Sequence, residues 1–444
     1  MGKRQGRRPP AEPVDVLIEG LSHEGRGIAH NDGRVLFIQG ALPGETVSAK
    51  IHKRRRQQDE GQATHVEQPA ADRVEPPCSY AGVCGGCSLQ HMSVEAQLKH
   101  KADSLSELLT RVGRITPQRW LPPLSGPTTG YRRRARLGAK FVPRKGDRVL
   151  VGFRERFSPF IADIDHCEVL DRRVGERLSD LSELIRSLDI PDRIAQIEVA
   201  AGDDAVGLVL RNLRPLSDAD RAKLVAFGEL HGFRVFEQPG NEQTVAPIGH
   251  TATRLHYALP EFDLRFAFAP TDFTQINASI NRQMVHQAVE LLALEPTHRV
   301  LDLFCGLGNF TLPIARQAGT VIGIEGAESL VERGRENAQL NGIHNVEFLA
   351  ADLTRVDAGG IPSLNGIDRV LLDPPRSGAI EVLPTIAALG AERIVYVSCG
   401  PATFARDAGE LVHTHGYELE AVGVMDMFPH TSHAETMGVF VRSV

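Results

Sequence analysis

From residue 299 onward the chain alternates short apolar runs with stretches of helical periodicity. The runs are Arg299-Val-Leu-Asp-Leu-Phe304, Thr320-Val-Ile-Gly-Ile-Glu325, Val346-Glu-Phe-Leu349, Arg369-Val-Leu-Leu-Asp373 and Arg393-Ile-Val-Tyr-Val397. Continuous apolar strands separated by helices predict a parallel sheet covered on both faces. Two later strands are predicted near Ala421–Met427 and Thr436–Val441.

The first half has a different beat. Short strands are predicted at Val14–Glu19, Val35–Ile38 and Thr46–Ile51, separated by Glu24-Gly-Arg-Gly-Ile-Ala29, Asp32-Gly33 and Leu42-Pro-Gly-Glu45. Closely spaced short strands with glycine turns predict a small barrel. Leu98, Leu105, Leu108 and Leu109 at helical spacing predict a helix over Ser93–Val112. Residues 131–156 alternate basic and apolar positions, which predicts strands with one basic face. Residues 194–268 read as strands around one helix, Asp218–His231, and contain no site-like constellation.

Length adds that 444 residues exceed one ordinary core, so two or three domains are expected. No apolar run is long enough to span a membrane, and the basic N-terminus lacks the apolar segment of a secretory signal. Six cysteines in a chain this long do not form a disulfide framework; a cytoplasmic protein with catalytic or metal-binding thiols is expected. The net charge of −6 hides an asymmetry. Residues 270–444 carry 11 Lys/Arg against 21 Asp/Glu, leaving 39 against 35 before them. A basic arm at residues 1–8, Lys53-Arg-Arg-Arg56 and the stretch at 131–156 point to nucleic acid contact away from the acidic half.

The candidate chemistry falls in two places. Cys78, Cys84 and Cys87 lie in a glycine-rich loop, with Cys167 further on, a set suited to structural zinc or an iron–sulfur cluster. The other place is the row of strand ends, where open α/β sheets bind ligands. Asp302-Leu-Phe-Cys-Gly306-Leu-Gly308-Asn-Phe310 ends the first strand, Glu325 the second and Asp352 the third. The first acid can hold an amino group, the second can grip ribose hydroxyls, and the third suits an adenine edge. Phe310 at the third glycine position disfavours a dinucleotide, so S-adenosylmethionine fits better. Seven strands with a late hairpin match class I methyltransferases. The fourth strand delivers Asp373-Pro-Pro-Arg-Ser-Gly378, like the loop with which methyltransferases hold a planar base. The fifth delivers Cys399, in Val395-Tyr-Val-Ser-Cys399-Gly-Pro401. Read alone, Cys399 is a small buried residue at a strand end or a nucleophile.

The glycine strings near the N-terminus resemble the TRAM domain, an RNA-binding barrel. Asp373-Pro-Pro-Arg-Ser-Gly378, Val397-Ser-Cys-Gly-Pro-Ala-Thr403 and Met427-Phe-Pro-His-Thr-Ser-His-Ala-Glu435 resemble the RNA uracil-C5 methyltransferases over nearly the whole chain. With the four cysteines, the TRAM-like module points to the branch acting on 23S ribosomal RNA. The resemblance implies that Cys399 attacks uracil C6 and that Glu435 removes the C5 proton. It implies cofactor contacts from Gln275, Phe304, Asn309, Glu325, Asp352 and Asp373, the last shared with the uracil edge. It implies a 4Fe-4S cluster on Cys78, Cys84, Cys87 and Cys167. Cys305 is read as packing, and His430 and His433 as shaping the base's loop. Gly400 stands where relatives often carry Asn, and Asp352 where some do. The expected organisation is a TRAM-like barrel over 10–69, a central iron–sulfur and RNA-binding α+β domain over 70–268, and a methyltransferase domain over 269–444 that borrows the helix near 93–121. A monomer taking a flipped uracil from a single-stranded or refolded loop is expected. The competing readings are uracil methylation of another RNA such as transfer RNA, an exocyclic-amine methyltransferase that needs no cysteine, and a non-enzymatic iron–sulfur RNA sensor.

Overall fold

The structure is a computed structural model. It describes residues 12–55, 57–250, 252–353 and 364–443. The basic arm at residues 1–8 and Arg56 lie outside them. The chain divides into two compact units. The first comprises Met1–Ser104, Phe153–Ala162 and Phe428–His433; the second holds the rest.

In the first unit, strands β1 (Val14–Leu17), β2 (Gly20–Leu21), β3 (Gly27–Asn31), β4 (Arg34–Gln39), β5 (Thr46–Arg54) and β6 (Gln58–Val66) form one sheet ordered β1-β5-β6-β4-β3-β2. Alternate side chains turn inward, so Val16, Ile18, Leu36, Ile38, Val47, Ala49 and Ile51 form the core. Strand β6 is the longest addition to the sequence reading. Its sequence, Gln-Asp-Glu-Gly-Gln-Ala-Thr-His-Val, carries almost no apolar signal. It forms because β4 and β5 supply hydrogen-bonding edges on both sides. Leu42-Pro-Gly-Glu45 has a further purpose. The fully buried Glu45 carboxylate accepts from Leu42 N at 2.7 Å, Ala70 N at 3.1 Å and both Nε and Nη2 of Arg73. Burial alone would raise this carboxyl, but Arg73 and the two backbone donors hold it below its ordinary value.

Helix α1 (Val94–Leu108) ends earlier than periodicity predicts, passing into a looser turn at Leu109–Gly113.

In the second unit, β7 (Arg119–Trp120), β8 (Arg134–Val142), β9 (Arg148–Gly152), α2 (Arg172–Gly175), α3 (Leu178–Ser187), β10 (Ile194–Ala201), β11 (Val206–Asn212), α4 (Asp218–His231), β12 (Phe233–Glu237) and β13 (Ala246–Pro247) follow in order. One sheet runs β13-β12-β11-β10-β8-β9. Helix α4 has the predicted bounds, because Ser217 caps Asp220 N and Gly232 takes the left-handed φ of 70° that ends it.

The strands of the basic stretch at 131–156 alternate as predicted, and several of its arginines are paired. Arg133 pairs with Asp203, Arg136 with Glu198 and Arg148 with Asp163, and the Arg134 guanidinium donates to Pro270 O.

The chain then forms the hairpin β14 (Leu255–Leu259) and β15 (Leu264–Phe268), followed by α5 (Ala278–Leu291), β16 (Arg299–Leu303), α6 (Thr311–Ala315), β17 (Thr320–Glu325), α7 (Glu328–Leu340), β18 (Val346–Ala350), β19 (Arg369–Leu372), α8 (Leu383–Leu389), β20 (Arg393–Ser398), α9 (Pro401–His413), β21 (Tyr417–Met425) and β22 (Glu435–Arg442). Among the described residues these strands build an eight-stranded sheet, β18-β17-β16-β19-β20-β22-β21-β7. Strands β16 to β20 are parallel, and β22 runs antiparallel to β20 and β21. The order reverses between β16 and β19, which is where an open α/β sheet leaves a crevice at its carboxyl ends. The eighth strand, β7, comes from far upstream and pairs with Ala421 and Val422. Gly113, just before it, packs so closely on α9 that a Cβ there would lie 2.6 Å from Ala405 O. No described helix is long and apolar enough to cross a membrane.

Candidate active site

Five strand ends converge on the crevice. Strand β16 stops at Phe304, whose φ of 64° is rare for a bulky side chain and costs backbone strain. Gly306 and Gly308 follow with φ of 54° and 95°. This turn sends the chain into α6 while Phe304 N and Cys305 N both donate to Ile324 O. At the end of β17, the Glu325 carboxylate accepts from Gly306 N at 3.1 Å and Ala327 N at 3.0 Å. It is thereby aimed before any ligand arrives, with part of its surface open.

Asp302 is fully buried beneath the turn. One carboxyl oxygen accepts from Thr311 Oγ1 at 2.6 Å; the other has no hydrogen-bond partner among the described residues. Burial, with Asp373 and Glu325 nearby, pushes it up to about 8. Its donor-side partner Thr311 was not visible as a site residue, because nothing in an apolar helix start marks it. Cys305 is buried against Gly323, in keeping with packing.

Asn309 is held by three hydrogen bonds. Its amide exchanges a reciprocal pair with Asn281, at 2.9 and 3.1 Å, and accepts from Tyr257 Oη at 2.9 Å. Gln275 lines a cavity of about 20 Å³ together with Tyr257 and Asn281, so these residues assemble around one corner of the crevice. Tyr257 lies in the region read from sequence as empty of site features. Its hydrogen-bond partner Asn309 is 52 residues away, so no local spacing reveals it. Asp352 lies exposed, two residues past β18.

The reacting edge is built by β19, β20 and β22. Ser398 pairs with Thr436 across the antiparallel ladder. One step further puts Cys399, just past β20, opposite Glu435, the first residue of β22. Glu435 is buried, and its Oε2 has no partner among the described residues. Burial first and Asp373 second push Glu435 up to about 8, with Arg376 opposing them. Burial pushes Asp373 up to about 7. Burial, Glu435 and Asp373 raise the Cys399 thiol above its ordinary value, against the pull of Arg376. A thiol and two carboxyls thus share one poorly solvated space, each opposing the ionisation of the next.

The loops carrying these groups are tied together. Asp407 of α9 accepts from Ala379 N and Tyr396 Oη, both at 2.7 Å. Arg406 donates to Ser377 O, and Thr403 Oγ1 donates to Arg376 O and Gly400 O. Gly400 belongs to this tie. A Cβ at position 400 would lie 2.6 Å from Thr403 Oγ1. The smallest residue at 400 and the hydroxyl at 403 therefore fit as a pair.

Cys78, Cys84 and Cys87 fall in the first unit and Cys167 in the second. Among the described residues, no group of three or more His, Cys, Asp or Glu is arranged to hold a metal ion. His430 is buried in the first unit, where its carbonyl accepts from Ser88 N and Leu89 N and its N–H donates to Gln97 Oε1.

The chain is 60% identical over its whole length to the 23S rRNA (uracil(1939)-C(5))-methyltransferase RlmD of Alkalilimnicola ehrlichii, covering 99% of that protein. The chain belongs to the 23S rRNA (uracil-C5)-methyltransferase family. The RlmD enzyme of Alcanivorax borkumensis is 51% identical over 99% of both chains. Residues 11–64 match the TRAM domain, and residues 254–444 match the family described as tRNA (Uracil-5-)-methyltransferase. Among solved structures, the tRNA (uracil-54, C5)-methyltransferase of Pyrococcus abyssi, in complex with S-adenosyl-L-homocysteine, superposes with a TM-score of 0.74. It covers 96% of this chain and 99% of its own at 24% identity, which establishes the shared fold. The chain is an S-adenosylmethionine-dependent methyltransferase with an N-terminal TRAM domain.

Proposed function

We propose that this enzyme methylates C5 of one uracil in 23S ribosomal RNA through a covalent adduct with Cys399. The observation that carries the reading is the β20–β22 register, which sets a thiol opposite a buried, unpartnered carboxyl at the sheet's ligand-binding edge. C5 of uracil is a poor nucleophile. Attack of the Cys399 thiolate on C6 makes an S–C bond and moves the ring electrons onto an enolate, so C5 becomes nucleophilic. S-adenosylmethionine, when bound, supplies the methyl that C5 takes. The Glu435 carboxylate then removes the C5 proton, and the electron pair left behind expels Cys399. Asp373, beside both groups, is suited to the uracil edge.

The residues present fit the cofactor. Glu325 is pre-aimed for ribose hydroxyls, the glycines at 306 and 308 keep the turn open, and Gln275 lines a cavity with Tyr257 and Asn281, the two residues that hold Asn309. Asp352 beyond β18 is suited to adenine. A uracil must leave its stack to reach a half-buried thiol in the crevice, so the target is a flipped or unpaired nucleotide. Action on ribosomal RNA supports a cytoplasmic location. Mass mapping of 23S RNA from a strain lacking this protein is expected to show one uridine lighter by a methyl group. Unchanged 23S RNA, with the loss appearing in transfer RNA or at an exocyclic amine, would overturn the reading.

A 4Fe-4S cluster on Cys78, Cys84, Cys87 and Cys167 belongs to the same proposal. Its support is local: Gly86 N donates to Cys84 Sγ at 3.4 Å, and Arg156 donates to the carbonyls of Cys84 and Cys87. An N–H and a guanidinium beside the sulfurs suit a negatively charged cluster. Anaerobic protein is expected to be brown, with four irons and four sulfides per chain as the proposed stoichiometry. Colourless protein containing zinc would exclude the cluster.

A further inference from the structure

Two phenyl rings stand out of the first unit on a tip built to hold them. Residues 153–162 form a hairpin in which Ala162 N donates to Phe153 O and Glu155 N to Phe160 O, each at 2.9 Å. Ser158 closes the tip, donating to Glu155 Oε2 at 2.6 Å and accepting from Phe160 N at 3.1 Å. Arg154 donates to Pro159 O. The hairpin is fastened below through Arg156, whose guanidinium donates to the carbonyls of Ala81, Cys84 and Cys87. Despite this, Phe157 remains 46% exposed and Phe160 69% exposed. Rigid apolar rings left in water, on a chain with only 5% aromatic residues, call for a ligand that covers them.

The neighbouring strand says which ligand. The Phe157 ring stacks on His52 of β5, with centroids 4.5 Å apart and planes at 20°. Lys50, His52 and Lys53 are exposed there, and neither lysine forms an ion pair among the described residues. An acidic or apolar protein surface would satisfy only half of this patch. A membrane would need a far larger apolar area than two rings. Flat rings beside unpaired cations match a single-stranded polynucleotide, whose bases stack while its phosphates take the charges.

We propose that Phe157 and Phe160 form a stacking platform for unpaired bases of the RNA substrate, apart from the reacting uracil, with Lys50 and Lys53 holding the adjoining phosphates. The platform rests on the RNA reading above. It fixes the register of the strand, as phosphate and stacking contacts outside a reaction centre do. It also gives the TRAM-bearing unit a definite contact.

The test is binding of the full-length protein to a 23S fragment spanning the mapped uridine, measured by fluorescence anisotropy over a range of salt. Replacing both rings, Phe157→Ala with Phe160→Ala, is expected to raise Kd by about 10-fold or more, since one stacked base is worth about 1–3 kcal/mol. The salt slope should stay at the wild-type value, because no phosphate contact is lost. Lys50→Ala with Lys53→Ala is expected to lower that slope by about one per lysine. Phe160→Trp should retain affinity and show a tryptophan quenched on RNA addition, readable above the single native Trp120. A double-ring variant that binds the fragment as tightly as wild type would overturn the platform while leaving the methylation reading intact. The same variant failing only on ribosomal particles would assign the rings to a protein contact and overturn the platform equally. A wild-type protein that neither binds nor methylates the fragment would sink both.

Discussion

Cys399→Ala is expected to abolish uracil methylation, lowering the rate by about 10⁴-fold or more, as loss of a covalent nucleophile does elsewhere. The size follows from the substrate. Without the S–C6 bond, the ring never becomes electron-rich at C5, and no other group on the reacting edge can replace the bond. The site's electrostatics sharpen the expectation. Glu435 and Asp373 are pushed up to about 8 and about 7, so at neutral pH Glu435 is mostly protonated and Asp373 only partly ionised. That weakens the negative field beside the thiol when it must ionise, with Arg376 opposing what remains. RNA containing 5-fluorouridine at the target is the direct assay. Fluorine cannot leave as a proton, so wild-type enzyme should stop as a methylated adduct stable to denaturing gels. Cys399→Ala should give no adduct while still binding S-adenosylmethionine. An alanine variant that methylates at the wild-type rate would show exocyclic-amine chemistry and end the covalent mechanism.

The strand ends were readable because buried parallel strands are continuous apolar runs, and the residue after each run lands at the sheet's carboxyl edge. Thr320–Glu325 is both a predicted run and the observed β17. Polar strands leave no such trace, and β6 shows why: its hydrogen-bond partners define it, not its side chains. Charge was the least reliable guide. Arg133, Arg136 and Arg148 read as a basic face, but their partners Asp203, Glu198 and Asp163 lie from 15 to 70 residues away. By contrast the run containing Lys50 and Lys53 already pointed to phosphate contact. What its sequence did not show is the ring beside it, because a hairpin from residue 153 onward brings Phe157 against His52. The site shows the same division. Motifs along the chain mark Cys399 and Asp373. Asn281, Tyr257 and Asp407 hold the motif residues in place, and only the fold brings them there.

Glu435→Gln separates the two halves of the proposed reaction. Glutamine keeps the shape but cannot accept a proton. Attack and methyl transfer should proceed, and the cycle should then stall before elimination. With ordinary uridine RNA, the variant is therefore expected to accumulate a methylated covalent adduct, while turnover falls by about 10²- to 10⁴-fold. Turnover without any adduct would remove Glu435 from the proton-transfer role. The raised carboxyl also sets a pH dependence. The base must be ionised to act, so wild-type kcat/KM should climb with pH through about 8, the value of Glu435. Stability should move the other way. A carboxyl raised in the folded state binds its proton there more tightly than in the unfolded chain. The native state is thus favoured at low pH and loses ground as pH rises from the unfolded value toward about 8. At pH 7 the penalty is on the order of 3 kcal/mol. Glu435→Gln removes it, so the inactive variant should unfold at a higher urea concentration than wild type at pH 8, with the difference shrinking at pH 5. A variant less stable than wild type at pH 8 would mean that Glu435 is held by partners in the native state. Its carboxyl would then be a structural group, not one kept strained and unpartnered for proton transfer.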